Sequence, residues 1–85
     1  MQFLLLSWAL RWVQAGNHYR TCRAYRKAKL CYEKAAQGQE RVGTPYGGAK
    51  LLEQAAQMAL KEGAPASDVA GFYQQCRALY AEAGR

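Results

Sequence analysis

The 85-residue chain has few acidic residues, with six Asp and Glu against twelve Lys and Arg and a formal net charge of +6. It contains two prolines and one histidine, and no segment alternates apolar and polar residues as a half-buried strand does. Its apolar runs are shorter than the roughly 20 residues that a membrane-spanning helix needs. A β-rich fold and a transmembrane helix are therefore excluded, and a small all-α chain is expected.

Residues that bind metals or perform catalysis are equally scarce. The three cysteines share no metal-binding spacing and the chain has a single histidine, so that we expect no zinc site. No cysteine has a histidine partner in register for catalysis. Cys31 and Cys76 lie on apolar helical arcs, which favours buried free thiols over a disulfide framework. The carboxylates occur singly, and the segment 43–48 lacks the order of a phosphate-binding loop. We expect no enzyme, no cofactor and no small-molecule substrate.

The positive charge is concentrated in one part of the chain. Residues 1–50 carry nine Lys and Arg against two Glu, whereas residues 51–85 carry three against four acidic residues. Such asymmetry indicates an acidic partner, which could be a nucleic acid, an anionic lipid or an acidic protein.

The opening segment MQFLLLSWAL resembles a targeting sequence only in part. It is apolar, but no basic residue precedes the apolar run and no clear small-x-small cleavage site follows it. An apolar first helix, or an interfacial helix that uses Trp8 and Trp12, is favoured over a signal peptide. Its 3–4 spacing comprises Phe3, Leu4, Leu5, Trp8, Trp12 and Ala15.

Glycine and proline divide the chain into four predicted helices. Gly16-Asn17 is expected to end the first helix, because both residues tolerate a positive φ. Gly43 is expected to close the second helix. Thr44 is the expected N-cap of the third helix and Pro45 its first residue, and Gly63 is expected to follow its end. The predicted helices span residues 2–15, 19–42, 45–62 and from 65 or 67 to 83.

The second predicted helix, Tyr19–Val42, is amphipathic with an almost purely cationic polar face. Its apolar arc comprises Ala24, Tyr25, Ala28, Cys31, Tyr32, Ala35, Ala36 and Gln39. Its flank comprises the candidate partner-binding residues Arg20, Arg23, Lys27, Lys34 and Arg41.

The pattern of the second helix recurs in the fourth. Ala24-Tyr25, Ala28, Tyr32 and Ala35 are followed at the same steps by Phe72-Tyr73, Cys76, Tyr80 and Ala83. The fourth helix is expected to bury Val69, Phe72, Tyr73, Cys76, Leu79, Tyr80 and Ala83. Recurring helical hairpins predict a stack, in which each hairpin buries its face against the next. A closed four-helix bundle is the alternative.

The cationic flank has three interpretations. A charge run is often only a solvated face, but here few intrahelical Glu residues accompany the lysines. Nucleic acid is the generic partner of a basic helix. The tyrosines, however, lie on the apolar arc, so that no exposed aromatic platform is expected for single strands. A solvated face and an acidic protein partner both stay open, and a small basic nucleic-acid binder is less favoured.

From Ala24 to Glu40, the run AYRKAKLCYEKAAQGQE resembles the soluble NSF attachment proteins, specifically the gamma subtype. The resemblance continues through Pro45-Tyr46, Ala49-Lys50 and Glu53-x-Ala55-Ala56, and then through Phe72-Tyr73 and Ala78-Leu79-Tyr80. It covers about residues 12–85, whereas residues 1–11 do not match well. Members of this family are several times longer, so that a fragment is implied.

The resemblance implies a tetratricopeptide-like superhelix of stacked hairpins in a single segment. It also implies an adaptor that binds the four-helix SNARE bundle and helps to recruit the hexameric ATPase NSF, which takes the bundle apart after membrane fusion. The implied location is cytoplasmic and peripheral on vesicle, Golgi or vacuolar membranes. The resemblance implies no nucleic-acid partner. A generic helical-repeat scaffold for another acidic partner is the alternative.

Overall fold

Four α-helices make up the computed structural model, which describes residues 2–84, with the side chains of 2, 3 and 5 excepted. They are α1 Gln2–Thr21, α2 Tyr25–Arg41, α3 Pro45–Glu62 and α4 Ala66–Ala83. The described part of the chain contains no strand. The all-α prediction is confirmed. The expected contributions of Phe3 and Leu5 to the first helix face lie outside the described side chains.

Each helix packs on the next helix in sequence, α1 on α2, α2 on α3 and α3 on α4. The helices are antiparallel neighbours in a flat body with extents of 34 × 25 × 12 Å. A closed bundle would also need α1 to pack against α4, and within residues 2–84 those two helices share no packed interface. The helices therefore form a stack of hairpins, and the bundle alternative is wrong.

The core lies along α2 and α3, because these helices have neighbours on both sides. Small residues allow the helices to approach closely, and Tyr32 and Met58 are the largest fully buried side chains. The core cluster comprises Ala28, Tyr32, Ala35, Ala36, Leu51, Leu52, Ala55, Met58 and Cys76. All eight residues of the predicted apolar arc of α2 are buried or half-buried, which confirms that arc.

Three turns of the same geometry connect the helices. Arg23, Gly43 and Gly63 have φ values of 63°, 81° and 81°, and they are evenly spaced along the chain. In each turn, the N–H of the residue after the one with positive φ donates to the carbonyl five positions earlier. In the first turn, the N–H of Ala24 donates to the carbonyl of Tyr19 at 2.8 Å. This is the left-handed helix ending that glycine favours. Gly43 and Gly63 were expected to end helices, whereas Arg23 was not.

The predicted end of the first helix is wrong. The helix continues through Gly16-Asn17 to Thr21, so that Tyr19 belongs to α1. A Cβ built on Gly16 would lie 2.9 Å from Cε1 of Tyr32, and the Tyr32 hydroxyl donates to Oδ1 of Asn17 at 2.6 Å. Both residues therefore serve the contact between α1 and α2 rather than a local helix ending.

The third helix begins where its sequence predicts, with Thr44 before it and Pro45 in its first turn. Thr44 does not cap the helix with its side chain, however. Its hydroxyl donates backwards to the carbonyl of Gln39 at 2.8 Å and to Oε1 of the same residue. The threonine thus closes the end of α2 instead of the start of α3.

The fourth helix buries less than its sequence predicts. Val69 and Cys76 are buried, but Tyr73 and Ala83 are exposed. The remaining members of the predicted stripe, Phe72, Leu79 and Tyr80, are half-buried. The reason is that α4 has a packed neighbour on one side only within the described chain, namely α3.

The predicted correspondence between α2 and α4 is also wrong. The sequence pattern pairs Tyr25 with Tyr73, whereas in the structure Tyr25 begins α2 and Ala66 begins α4. Counting from these first residues, Tyr73 corresponds to Tyr32 and not to Tyr25. The sequence pattern therefore pairs the aromatic and small residues of α2 with residues of α4 that lie about two helical turns away from their structural counterparts.

Candidate functional site

The α1–α2 edge carries a row of three cations from the predicted flank. Lys27 and Lys34 are exposed and lie two helical turns apart on α2. The Nζ of Lys27 lies 5.6 Å from the ring centroid of Tyr19, and that of Lys34 lies 5.5 Å from the ring of Trp12. Because Arg41 follows Lys34 at the same spacing, it continues the row. We call Lys27, Lys34 and Arg41 the basic edge.

The aromatic rings of α1 fix the two lysines in place. Trp12 and Tyr19 are themselves two turns apart, so that each lysine of α2 meets one ring on the antiparallel neighbour. Each such contact contributes about 0.5–1 kcal/mol at an exposed site. The apolar stem of the lysine lies along the ring while the ammonium stays in water. A partner therefore meets charges whose conformational freedom is already reduced.

Arg20 and Arg23 do not lie on α2, although the sequence places them in one helix with the basic edge. Arg20 is in the last turn of α1, where its Nη1 donates to Oε1 of Gln54 on α3 at 3.3 Å. Arg23 lies in the turn before α2. The prediction of one continuous helix from Tyr19 to Val42 is wrong. All five candidate residues are nevertheless exposed.

Arg23 occupies a strained backbone position. Among the described residues it is the one non-glycine with a positive φ, whereas glycine stands at the same position in the other two turns. A side chain in this conformation costs roughly 1 kcal/mol. Strained residues concentrate at functional positions. Its place in the turn that leads into α2 makes Arg23 a further candidate contact beside the basic edge.

Replacing Arg23 with glycine is expected to raise the free energy of unfolding by about 1 kcal/mol, because the left-handed conformation costs glycine little. Urea denaturation followed by circular dichroism measures the change. Arg41→Ala, at the end of α2, removes the same charge without a change of backbone strain and should alter stability by less than about 0.5 kcal/mol. A loss of stability on Arg23→Gly would show that the arginine makes compensating contacts.

A second pair of lysines, both on α3, also lies over aromatic rings. Lys50 lies 5.4 Å from the ring centroid of Tyr46, and Lys61 lies 5.4 Å from the ring of Tyr25. The spacing of Tyr46 and Lys50, one turn apart on one helix, could have indicated the first contact. The second joins α3 to α2 and has no local sequence signal. These lysines carry the same chemistry outside the basic edge.

Two further basic residues of α2 share one carboxylate of α3. Glu62 of α3 accepts from Nζ of Lys29 at 2.6 Å and from Nε of Arg26 at 3.4 Å. The hydrogen bond from Lys29 is the main reason that the pKa of Glu62 lies below its ordinary value. These two cations hold α2 and α3 together, so that they are less suited to bind a partner than the basic edge.

An open groove of about 490 Å³ runs between α2 and α4. Glu33 lies in its wall, and burial raises the pKa of this carboxyl against the lowering effect of Lys29 and Lys34. Asp68 also lines it. Within residues 2–84, no group of His, Cys, Asp and Glu is arranged to hold a metal ion.

The cysteines are free, with Cys31 and Cys76 buried and Cys22 exposed. The expectation of two buried free thiols is confirmed, and burial raises the pKa of both. Cys22 Sγ lies 3.8 Å from Nε2 of His18, so that the expectation of no histidine partner for any cysteine is wrong. The pair is exposed, and the ring of His18 lies edge-on to that of Tyr19, with 5.9 Å between the ring centroids.

Apolar side chains of α1 are exposed, namely Leu4, Leu6, Trp8 and Leu10. Despite them, none of the described helices combines the length and the apolarity needed to cross a bilayer. The same helix supplies the two rings beneath the basic edge. Apolar and cationic surface therefore adjoin along the first hairpin.

Comparison with known proteins gives a decisive match. The chain is 43% identical over 72 residues to the gamma-soluble NSF attachment protein of Arabidopsis thaliana. The match covers 85% of this chain and 24% of the relative. The chain is similar to a fragment of a soluble NSF attachment protein. No family model and no solved structure matches it.

The chain spans about a quarter of the length of this soluble NSF attachment protein. Any stretch of 72 residues in a chain of 85 includes positions 14–72, so that the match contains the whole basic edge and Arg23. The candidate site therefore lies inside the matched segment.

Proposed function

We propose that this chain is an adaptor segment that binds an assembled SNARE bundle through the basic edge and Arg23. The family is named for attachment of the ATPase NSF, and the relative carries that name over about four times the length of this segment. We propose that the longer protein recruits NSF and that this segment supplies part of the grip on the SNARE bundle. The location would be the cytoplasmic side of vesicle, Golgi or vacuolar membranes.

The observation that carries the proposal is the row of exposed cations fixed on the rings of α1. Lys27 and Lys34 protrude at intervals of two helical turns, about 10 Å. A bundle of long helices repeats its surface at the same interval, since each of its helices has the same pitch. Complementary charge would set the orientation and the rate of encounter more than the final affinity. No chemistry by the chain itself is needed.

Charge reversal at Lys27 and Lys34 tests the proposal. The double variant Lys27→Glu/Lys34→Glu should weaken retention on an assembled SNARE complex by roughly tenfold, because two favourable pairs become repulsive. The effect should grow at low salt, where screening is weaker. A pull-down at two salt concentrations, followed by titration in solution, measures both quantities.

The matched control is Lys50→Glu/Lys61→Glu. It makes the same change in net charge and also removes two contacts between a lysine and an aromatic ring, but the lysines are on α3. Retention of this control close to that of the parent chain would assign binding to the basic edge. Equal weakening by both double variants would instead indicate net charge alone, and unchanged binding of the first variant would reject the proposal. Strong retention on DNA or RNA would favour a nucleic-acid binder.

A further inference from the structure

The open groove between α2 and α4 is longer than its central depression of about 490 Å³. A depression of about 370 Å³ adjoins it at the turn before α4, where both share Lys29 and Asp68. Another of about 260 Å³ adjoins it at the opposite end, where both share Glu33 and Gln75. The three depressions therefore form one continuous groove, which we call the α2–α4 groove.

The walls of this groove belong to three consecutive helices and one turn. On α2 it extends from Arg26 to Glu40, which at about 1.5 Å per residue is about 21 Å. Leu52 of α3 lines it from below, and α4 lines the opposite side as far as Gln75. The groove is thus formed within residues 26–75, and its walls include neither end of the chain.

Acidic residues are concentrated in the α2–α4 groove, although the chain as a whole is basic. Four of the six carboxylates line it, with only two of the twelve Lys and Arg. These residues are Glu33, Glu40, Glu62 and Asp68, with Arg26 and Lys29. The rest of the chain keeps ten Lys and Arg against two acidic residues. A groove whose charge is opposite to that of the remaining surface is suited to a partner of the other sign.

The cations of the groove leave most of its negative charge uncompensated. Both of them form ion pairs with Glu62. The other three carboxylates, Glu33, Glu40 and Asp68, take part in no ion pair within residues 2–84. Glu33 is half-buried, and burial raises its pKa against the lowering effect of two nearby lysines. A cation bound in the groove would supply the close partner that its charged form lacks.

Apolar and neutral polar side chains lie among these carboxylates. Leu30 of α2 is 49% exposed and Phe72 of α4 is half-buried, and both line the middle of the groove. Ser67, Gln75 and Gln37 are exposed and are distributed along its length. Their hydroxyl and amide groups can bind the N–H and C=O groups of an extended backbone, which unlike those of a helix have no partners of their own.

The spacing of the carboxylates fits such a backbone. Glu33 and Glu40 lie two helical turns apart on α2, about 10 Å. In an extended peptide, residues three positions apart are separated by about the same distance. We propose that the α2–α4 groove binds an extended segment of a partner protein that carries Lys or Arg at every third position with an apolar residue between them. The cations bind Glu33, Glu40 and Asp68, and the apolar side chain packs on Leu30 and Phe72.

This site is distinct from the basic edge, whose proposed partner is acidic. The variant Lys27→Glu/Lys34→Glu, which should lose the acidic partner, should bind a basic segment at least as tightly as the parent chain does. The reason is that Lys34 is a sequence neighbour of Glu33 and opposes the binding of a second cation there. Failure of one proposal can therefore be told from failure of the other.

A labelled peptide of about nine residues with the repeat Lys-Leu-Gly tests the proposal, because its extended length covers the groove. Fluorescence anisotropy measures its Kd, which we expect at roughly tens of micromolar for the parent chain. Gly71→Lys places a cation in the middle of the groove, at a position where a built Cβ has no atom within 4 Å. This variant should weaken binding by roughly tenfold, because its own ammonium occupies the site of the peptide's cation. Circular dichroism verifies that it is folded.

The matched control is Ala70→Lys, which adds the same charge at the preceding residue of α4. Ala70 is exposed and lines a different depression, beside Tyr73 and Arg77. This control should bind the peptide as the parent chain does. Equal weakening by both variants would indicate net charge alone and would overturn the proposal. A parent chain without saturable binding, or a Gly71→Lys variant with unchanged affinity, would overturn it too. So would sedimentation that shows a dimer of the parent chain which Gly71→Lys dissociates, because the occupant would then be a second copy.

Discussion

Replacing Tyr32 with alanine is expected to lower the free energy of unfolding by about 3–5 kcal/mol. Its ring is 0% exposed in the core cluster, where it lies against Gly16. The hydroxyl also donates to Asn17, and the substitution removes that hydrogen bond. The free energy of unfolding of a folded domain is roughly 5–15 kcal/mol, and that of a domain as small as this chain should be near the lower limit. Much of the chain should therefore be unfolded at room temperature.

Two further variants separate the causes of this loss. Tyr32→Phe keeps the ring and removes the hydrogen bond, so that we expect a loss of about 1 kcal/mol. Tyr73→Ala removes the same side chain from the equivalent position of α4, where it is exposed, and should cost less than about 1 kcal/mol. Urea denaturation measures all three. A large loss for Tyr73→Ala would mean that α4 is packed more tightly than its exposure indicates.

Sequence periodicity was sufficient to identify the apolar arc of α2, because α2 has a neighbour on both sides and nearly every apolar position is used. Ala28, Cys31, Tyr32 and Ala35 are all buried. The same reasoning predicts that Tyr73 on α4 is buried, whereas the structure shows it exposed. Periodicity shows which face of a helix is apolar, but it does not show whether another helix covers that face.

The predicted end of the first helix is wrong because the glycine and asparagine that suggest it serve a tertiary contact. Gly16-Asn17 has the composition of a helix ending, and the actual ending lies at Arg23, where the sequence shows a residue that rarely adopts a positive φ. Glycine occurs at position 16 inside the helix because the ring of Tyr32 occupies the space that a side chain would fill. No rule based on neighbouring residues could have found a contact between two positions on different helices.

The candidate site was predicted in part. Lys27, Lys34 and Arg41 share a face of α2, as their spacing of two turns requires. The sequence pattern groups Arg20 with them because it predicts a helix that begins at Tyr19, whereas Arg20 contacts α3. The rings beneath the lysines belong to α1. Contacts between helices follow from packing, so that the sequence of α2 alone does not contain them.

Replacing Gly16 with alanine should destabilise the chain, although alanine is the better helix former. The gain in helix propensity is about 1 kcal/mol. Against it, the new Cβ would lie 2.9 Å from Cε1 of Tyr32, and that ring is buried and tied to Asn17. Overpacking of this kind costs about 1–3 kcal/mol. Since the ring has little room to move, the cost should exceed the gain, and we expect a net loss of about 1–2 kcal/mol.

Gly71→Ala is the matched control, because Gly71 also lies inside a helix but has no atom within 4 Å of a built Cβ. Only the propensity gain remains there, so that this variant should be stabilised by about 0.5–1 kcal/mol. Thermal and urea denaturation of the two variants should thus shift in opposite directions from the parent chain. A stabilised Gly16→Ala variant would show that α1 and α2 can separate at this point without loss, and the role assigned to the Gly16–Tyr32 contact would then be wrong.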